Sequence, residues 1–499
     1  MRISSWLAPA ALILAACGPA ADSESGAADL KAPAIQHLVI LLQENHTFDN
    51  YFGLYCAGTA GTPFPANCQG RGCCERAPQS VPGVDDLFGY ARTCSAWSAT
   101  SYLDDAYNNA GDPDHGANAE YAEMHNSGAP GSIDGSFRMD RYYCHNVEYA
   151  RFDPSAADWN YPEVPAADSS YPLRTYHSLA TGGALADRYF QPIVGASTSN
   201  DMFLARAAFV FQDNQRGIPF SGYTDKTIGD LLDAAHVSWA VYMGGLAAGC
   251  APGQGYPDCV DVTDDPYTFA AKYQSNATAL RDLDQFSADL AGGTLPAVSL
   301  LRSLGSNSEH AESGGGGDIT AGENNFIKPA IDAINASRYA ANTLILITWD
   351  EGGGWYDHVS PPMALADGCA LPTTPVWTGS TAPKGKNRCG LIDSSRLPDG
   401  TVLPVSTSDP EYYSNPNYLN GQEYYGTRLP LLALGPYARK APGGSISHQI
   451  LEHSSIVKFI EWNWLGHKSG QLGTRDRHVN NLGSMLDAKL KVPAGVADK

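Results

Sequence analysis

Five short stretches of this chain are apolar almost without a break. They are Leu38 to Leu42, Trp239 to Met243, Ala297 to Leu301, Leu344 to Thr348 and Leu429 to Leu434. Each has the length of a strand, and none alternates polar with apolar. Such a run is buried on both faces, as in a parallel sheet covered by helices. Helical patterns fall between them: Thr227 to Ala235, Asn325 to Arg338 and Ser454 to Trp464. Strands alternating with helices predict an α/β fold, a three-layer α/β/α sandwich around a mostly parallel sheet.

Two of these runs end alike. HLVILLQEN carries its strand into Glu44-Asn45, and LILITWDEGGG carries another into Asp350-Glu351. Alone, either acid reads as a solvated loop carboxylate, because Asp and Glu are mostly exposed. Together they put three carboxylates and an amide at one sheet edge, where open α/β sheets bind ligands. Like charges crowd there at a cost unless a cation intervenes. A hard divalent ion held by oxygens is the simplest neutraliser.

The composition narrows the partners. The 499 residues are 43% hydrophobic and 17% charged, which is globular. The formal net charge of −21 disfavours DNA, RNA and broad contact with an anionic bilayer. The first 16 residues read as a signal peptide, with Met1-Arg2 ahead of an apolar run too short to span a membrane. Leu14-Ala15-Ala16-Cys17 resembles a bacterial lipobox, so Cys17 is expected to be lipidated and residues 17–34 to be a flexible tether. The expected location is therefore an exported bacterial protein, a membrane lipoprotein at the periplasm or cell surface, or a secreted one. Residues 35–499 are expected to form one domain, with loop-rich insertions at about 54–110 and 361–426. Ten cysteines remain after Cys17, and in an exported chain an even set argues for disulfides. Cys250–Cys259 and Cys369–Cys389 close short loops, and the first six could pair among themselves. A zinc site at Cys73-Cys74 is the rival, but the spacing matches no zinc pattern.

ENHTFDNYFG and WDEGGGWYDHVSPP resemble the two signature segments of the phosphoesterase family of bacterial and plant phospholipases C and acid phosphatase A, in the alkaline-phosphatase-like superfamily. Other segments follow in order. DPDHGANAEYAEMHNSGAPGSIDGSF is similar to the family's first histidine segment and places it at His115. GASTSNDMF resembles the nucleophile turn, with Ser197 three residues before Asn200. LPAVSLLRSLGSNSEH resembles the strand and loop that deliver His310, and LEHSSIVKFIEW resembles the closing helix with His453. The resemblance covers Gln36 to Gly466. Ser199 and Asp201 stand where many relatives carry Pro and a basic residue, and Thr198 and Ser199 are rival hydroxyls to Ser197.

The resemblance implies a metal-dependent phosphoric ester hydrolase, of phospholipase C type or an acid phosphatase. One divalent ion (Ca, Mg, Mn or Zn) would be held by Glu44, Asn45, Ser197, Asp350 and Glu351. Ser197 would be the nucleophile and form a phosphoserine intermediate. His115 and His310 would act on the phosphoryl oxygens or the leaving group, with Asn200 in substrate binding. Asp357 and His358 would support the metal ligands, while Trp355, Tyr356, Tyr51 and Phe52 would line the pocket. The expected partners are a phosphate ester, with phospholipid among the options, and a membrane reached through the anchor. The rival from another class is a lipid-anchored binding protein with a decayed site. A sulfatase is disfavoured because no cysteine stands in a C-x-P-x-R pattern.

Overall fold

The computed structural model describes residues 35–59, 68–78, 173–208, 225–248, 262–274, 276–311, 317–359 and 425–498, with short pieces at 80–81, 97–98, 102–103, 105–109, 112–113, 115–116, 120, 149–150, 214 and 361. They fall in one compact unit, Ala32–Lys499. The central sheet has eight strands: β1 (His37–Gln43), β2 (Ala184–Phe190), β3 (Trp239–Met243), β4 (Leu280–Asp282), β5 (Val298–Arg302), β6 (Thr343–Trp349), β7 (Arg428–Leu434) and β8 (Ser445–Ser447). Their order across the sheet is β8-β2-β7-β6-β1-β5-β3-β4. All neighbours pair in parallel except β7, which runs against both β6 and β2.

All five apolar runs are strands. β5 begins and ends one residue later than its run, and β7 is the antiparallel one. Burial on both faces makes a run apolar whatever its direction, so periodicity could not reveal that reversal. β7 also accommodates Pro430, at the point where its register against β2 shifts between Leu429 and Leu431. A missing N–H is tolerated at such an irregularity.

Alternation along β1 shows the layers. Leu38, Ile40 and Leu42 join one apolar core, and Val39 and Leu41 join the other. The first core is closed by α3 (Ser197–Arg206), α4 (Ile228–Ala234) and α7 (His453–Trp464), through residues such as Met202, Leu232 and Phe459. The second is closed by α1 (Phe48–Phe52), α2 (Arg174–Gly182), α5 (Asp284–Gly292) and α6 (Lys328–Ala336), through Phe52, Tyr176, Phe286 and Ile331. The architecture is therefore α/β/α.

The helical patterns hold with shifted ends. Thr227 caps α4 in a reciprocal box with Asp230. The stretch expected to be helical from Asn325 begins as one π-helical turn, Gly322–Ile327, before α6. α7 starts at a capping box of Glu452 and Ser455. β2, β4 and β8 were not expected. In β2, the sequence ALADRYF breaks its apolar run at Asp187, which is buried and accepts from His448 Nδ1 at 2.8 Å.

Two disulfides tie the segment after α1: Cys56–Cys74 and Cys68–Cys73. The expected pairs Cys250–Cys259 and Cys369–Cys389, Cys17 with its tether, and most of both insertions lie outside the described residues. Among the described residues, no helix is long and apolar enough to cross a membrane.

Candidate active site

β1, β2, β5 and β6 all point their carboxyl ends to one edge of the sheet, and antiparallel β7 starts there. β1 and β6 pair with Gln43 opposite Trp349, so Glu44 and Asp350 leave the sheet side by side. Asn45 then turns into the left-handed region, with φ 63°. Asparagine tolerates that conformation better than most residues, and such strain concentrates at functional sites. The turn lets Asn45 N donate to Asp350 Oδ1 at 3.0 Å. The glycines after Glu351 allow the second loop to lie against it. Gly353 has φ 63°, and a Cβ there would collide with the Asn45 carbonyl oxygen.

Ser197 is the first residue of α3, after an extended Ala196. Its hydroxyl donates to Asn45 Oδ1 at 3.5 Å. The rival hydroxyls are engaged elsewhere. Ser199 Oγ donates to Ala196 O at 2.6 Å, and Thr198 Oγ1 donates to Asn214 Oδ1 at 2.9 Å. The helix terminus places partial positive charge around Ser197, which favours an anion there.

Asn200 builds the turn beneath this residue. Its Oδ1 accepts from Ile193 N at 3.1 Å, and its Nδ2 donates to Gly195 O at 2.6 Å and Ala196 O at 3.2 Å. Gln191 braces the same turn to the second signature loop. Its Oε1 accepts from Gly352 N at 2.9 Å, while its Nε2 donates to Ile193 O, Gly195 O and Glu120 Oε2. Sequence reasoning missed Gln191, because nothing in its local pattern marks a polar residue just past a strand.

His115 faces this group. Its Nδ1 donates to Pro113 O at 2.8 Å, and its Nε2 lies 3.5 Å from Asn45 Nδ2 and 3.7 Å from Glu351 Oε1. Burial pulls its pKa down, but the carboxylates of Asp112 and Glu351 outweigh that and hold it well above the usual histidine value. The His310 ring lies edge-on to that of His115, 5.6 Å between centroids, with its Nδ1 donating to Ala311 O at 2.7 Å.

The acids divide into two sets. Glu44 Oε1 accepts from Arg302, the last residue of β5, at 3.1 Å, and Arg302 also pairs with Asp201 on α3. So part of the crowded charge is neutralised from within the protein, by a cation that sequence reasoning did not weigh. The strand register explains it: Leu42 pairs with Arg302, which brings the guanidinium within reach of Glu44, two residues further on. Asp201 is thereby turned toward the interior; burial pushes its carboxyl well up, against the pull of Arg302. Asp350 and Glu351 form the second set. Asp350 Oδ1 accepts two backbone N–H groups, and Glu351 Oε2 accepts from Gly353 N at 2.6 Å. Asp350 Oδ2 and Glu351 Oε1 are buried with no hydrogen-bond partner. Burial, reinforced by the neighbouring Glu120 and Asp350 charges, raises the Glu351 pKa well above normal despite His115. Two buried carboxylate oxygens without a hydrogen-bond partner, on the loop that meets Asn45, are the kind of oxygen donor a hard divalent cation takes.

Among the described residues, two trios have their ligand atoms within 4.8 Å of one another, Asp112, His115 and His310, and Asp49, Asp357 and His358; Glu44, Asp350 and Glu351 do not form such a trio. The second trio already surrounds a cation. Arg428, at the start of β7, donates to Asp357 Oδ1 at 2.9 Å and to Asp49 Oδ1 at 2.8 Å, and its guanidinium lies over the Phe48 ring at 4.5 Å. His358 Nδ1 donates to Asp49 Oδ2 at 2.7 Å. Burial raises the Asp357 pKa to about 6, with Arg428 restraining it. This network fastens α1 to the second signature loop. Arg428→Met is therefore expected to destabilise the fold by about 3–5 kcal/mol, because it strands two buried carboxylates. Urea unfolding of the variant measures this, and a loss below about 1 kcal/mol would contradict so tight a network.

Among the expected pocket residues, Tyr51, Phe52, Trp355 and Tyr356 are all buried. His453 lies under the site. Its Nε2 donates to the Asp350 carbonyl at 2.8 Å, and burial lowers its pKa to about 3, so the ring stays neutral.

The chain is 24% identical over 459 residues to the hemolytic phospholipase C of Pseudomonas aeruginosa, covering 86% of this chain and 52% of that protein. It is 24% identical over 445 residues to phospholipase C B of Mycobacterium tuberculosis, covering 85% of this chain and 72% of that one. The chain thus spans about half the length of the Pseudomonas relative. A solved protein of the alkaline phosphatase superfamily from Vibrio parahaemolyticus overlaps 61% of each chain at 12% identity and a TM-score of 0.29. A family match across residues 35–465 takes in all the strands that feed this edge of the sheet, and the chain belongs to the Phosphoesterase family.

Proposed function

We propose that the protein is a metal-dependent phosphoric ester hydrolase of phospholipase C type, acting through a phosphoserine intermediate. The observation that carries this reading is the Ser197 hydroxyl at the head of α3, resting on Asn45 Oδ1, where the Asn45 backbone N–H also holds Asp350 Oδ1. Glu44, Asn45, Ser197, Asp350 and Glu351 would hold one divalent ion, which would supply Lewis acidity and lower the pKa of the Ser197 hydroxyl. Ser197 Oγ attacks phosphorus and forms the new P–O bond as the ester P–O bond breaks. The departing alkoxide takes a proton from His115 or His310. Water then attacks the phosphoseryl group, releasing phosphate or a phosphomonoester and restoring Ser197. The Asn45 amide and the first turn of α3 stabilise charge on the transferring phosphoryl group. Signal cleavage and lipidation at Cys17 would tether the enzyme near a membrane, within reach of phospholipid.

A substrate panel tests this reading. Phosphatidylcholine and soluble phosphomonoesters are offered to the metal-supplemented protein, with a chelator arm. Faster release of phosphocholine than of phosphate supports the phospholipase C type. The reverse order supports the acid phosphatase of the same family. Binding without turnover, with metal present, leaves only a binding protein with a decayed site.

A further inference from the structure

Beneath the proposed site a single buried carboxylate meets four donors. Glu309 immediately precedes His310 and is fully buried. Its Oε1 accepts from Gln43 Nε2 at 2.9 Å and the Tyr176 hydroxyl at 2.6 Å. Its Oε2 accepts from the Tyr51 hydroxyl at 2.6 Å and Trp349 Nε1 at 3.2 Å. Each oxygen thus has two hydrogen-bond partners, so the carboxyl group is held at both ends. The donors come from four elements: Gln43 ends β1, Trp349 ends β6, Tyr51 is on α1 and Tyr176 is on α2.

The backbone of Glu309 is equally constrained. Its carbonyl accepts from His46 Nε2 at 2.9 Å and Asn108 Nδ2 at 3.0 Å, and its φ is 72°. The π turn lies directly on its side chain, since a Cβ on Gly322 would run into Glu309 Cγ and Oε1. Packing alone does not call for this. Burial pushes the carboxyl up to about 8 even with these donors in place, and an apolar residue would fill the space without that cost. A left-handed non-glycine residue adds strain, of the kind that accumulates at functional sites.

We propose that Glu309 is a positioning residue for His310. Its carboxylate is anchored to the ends of β1 and β6, the strands that deliver Glu44-Asn45 and Asp350-Glu351. Its left-handed backbone then presents the His310 ring to the phosphate that those segments hold. The proposal rests on the phosphoesterase reading above.

A double-mutant cycle tests it on the metal-supplemented protein. Inorganic phosphate binding is measured by calorimetry and aryl phosphate turnover by product release, in wild type, Glu309→Gln, His310→Ala and the double variant. Glu309→Gln puts an amide among four donors and is expected to weaken phosphate binding and turnover by about tenfold or more, as misplacement of a reacting group does. On the His310→Ala background the same change is expected to cost less than about twofold, because the two residues act as one unit. Losses that multiply independently would overturn the proposal. If Glu309→Gln does not fold, Tyr176→Phe deletes one donor without leaving a buried amide. Its smaller loss should likewise vanish on the His310→Ala background, and persistence there overturns the proposal. A wild-type protein that neither binds phosphate nor cleaves esters overturns the phosphoesterase reading itself, which the variants alone cannot do.

Discussion

Ser197→Ala is expected to reduce phosphoester turnover by at least about 10³-fold in kcat, with the fold intact. The side chain is small, it is 4% exposed, and its hydrogen bond to Asn45 Oδ1 is long at 3.5 Å. Removing the hydroxyl therefore costs little stability. Its chemical role is harder to replace. The neighbouring hydroxyls cannot take over without breaking their own bonds, to Ala196 O for Ser199 and to Asn214 Oδ1 for Thr198. Thr198→Ala and Ser199→Ala should accordingly keep most of the activity. Single-turnover assays of all three variants, beside thermal unfolding, give the comparison. Near-wild-type activity in Ser197→Ala would remove Ser197 as nucleophile and direct attention to whichever neighbour then proves essential.

What the sequence made legible follows from how each residue is encoded. Glu44, Asn45, Asp350 and Glu351 each follow an uninterrupted apolar run, and a run that ends abruptly in acids is visible without any tertiary information. Parallel pairing of β1 with β6 then brings them together. Arg302 ends a similar run, yet it reads only as a polar exit from a strand. Its meaning comes from a partner 258 residues away in sequence, and only the β1–β5 register supplies that. The expectation that the acids need an outside cation was therefore incomplete, since Arg302 already answers Glu44 and Asp201. Gln191 and Glu309 were hidden for a related reason. Each works through contacts to several elements at once, and no local spacing marks a residue of that kind. β2 was missed because Asp187 interrupts its apolar pattern, and the His448 partner that makes its burial tolerable lies far along the chain.

Removing metal is expected to lower both activity and melting temperature, and Asp350→Asn is expected to mimic much of that loss. The oxygens left without a hydrogen-bond partner are Asp350 Oδ2 and Glu351 Oε1. The first signature loop meets the second where Asn45 N donates to Asp350 Oδ1. A cation bound there would join segments more than 300 residues apart and would exist only in the native state. Ligand that binds only the native state stabilises it by mass action, by about 2.7 kcal/mol at a hundredfold excess over Kd. For a domain of this size that corresponds to a rise of a few degrees in melting temperature. Asp350→Asn keeps an oxygen for Asn45 N but removes the charge, so metal affinity should fall more than apo-protein stability. Glu351→Gln should act in the same direction, and it also removes the carboxylate 3.7 Å from His115 Nε2. Arg302 sharpens the comparison. Because Glu44 already faces a fixed guanidinium, Glu44→Gln should disturb the apo-protein more than Asp350→Asn does, by stranding part of a buried ion pair. Elemental analysis, together with melting curves with and without chelator, separates these effects. A fully active, metal-free protein whose melting temperature ignores chelator would remove the cation from this edge of the sheet, and the metal-dependent mechanism would fall with it.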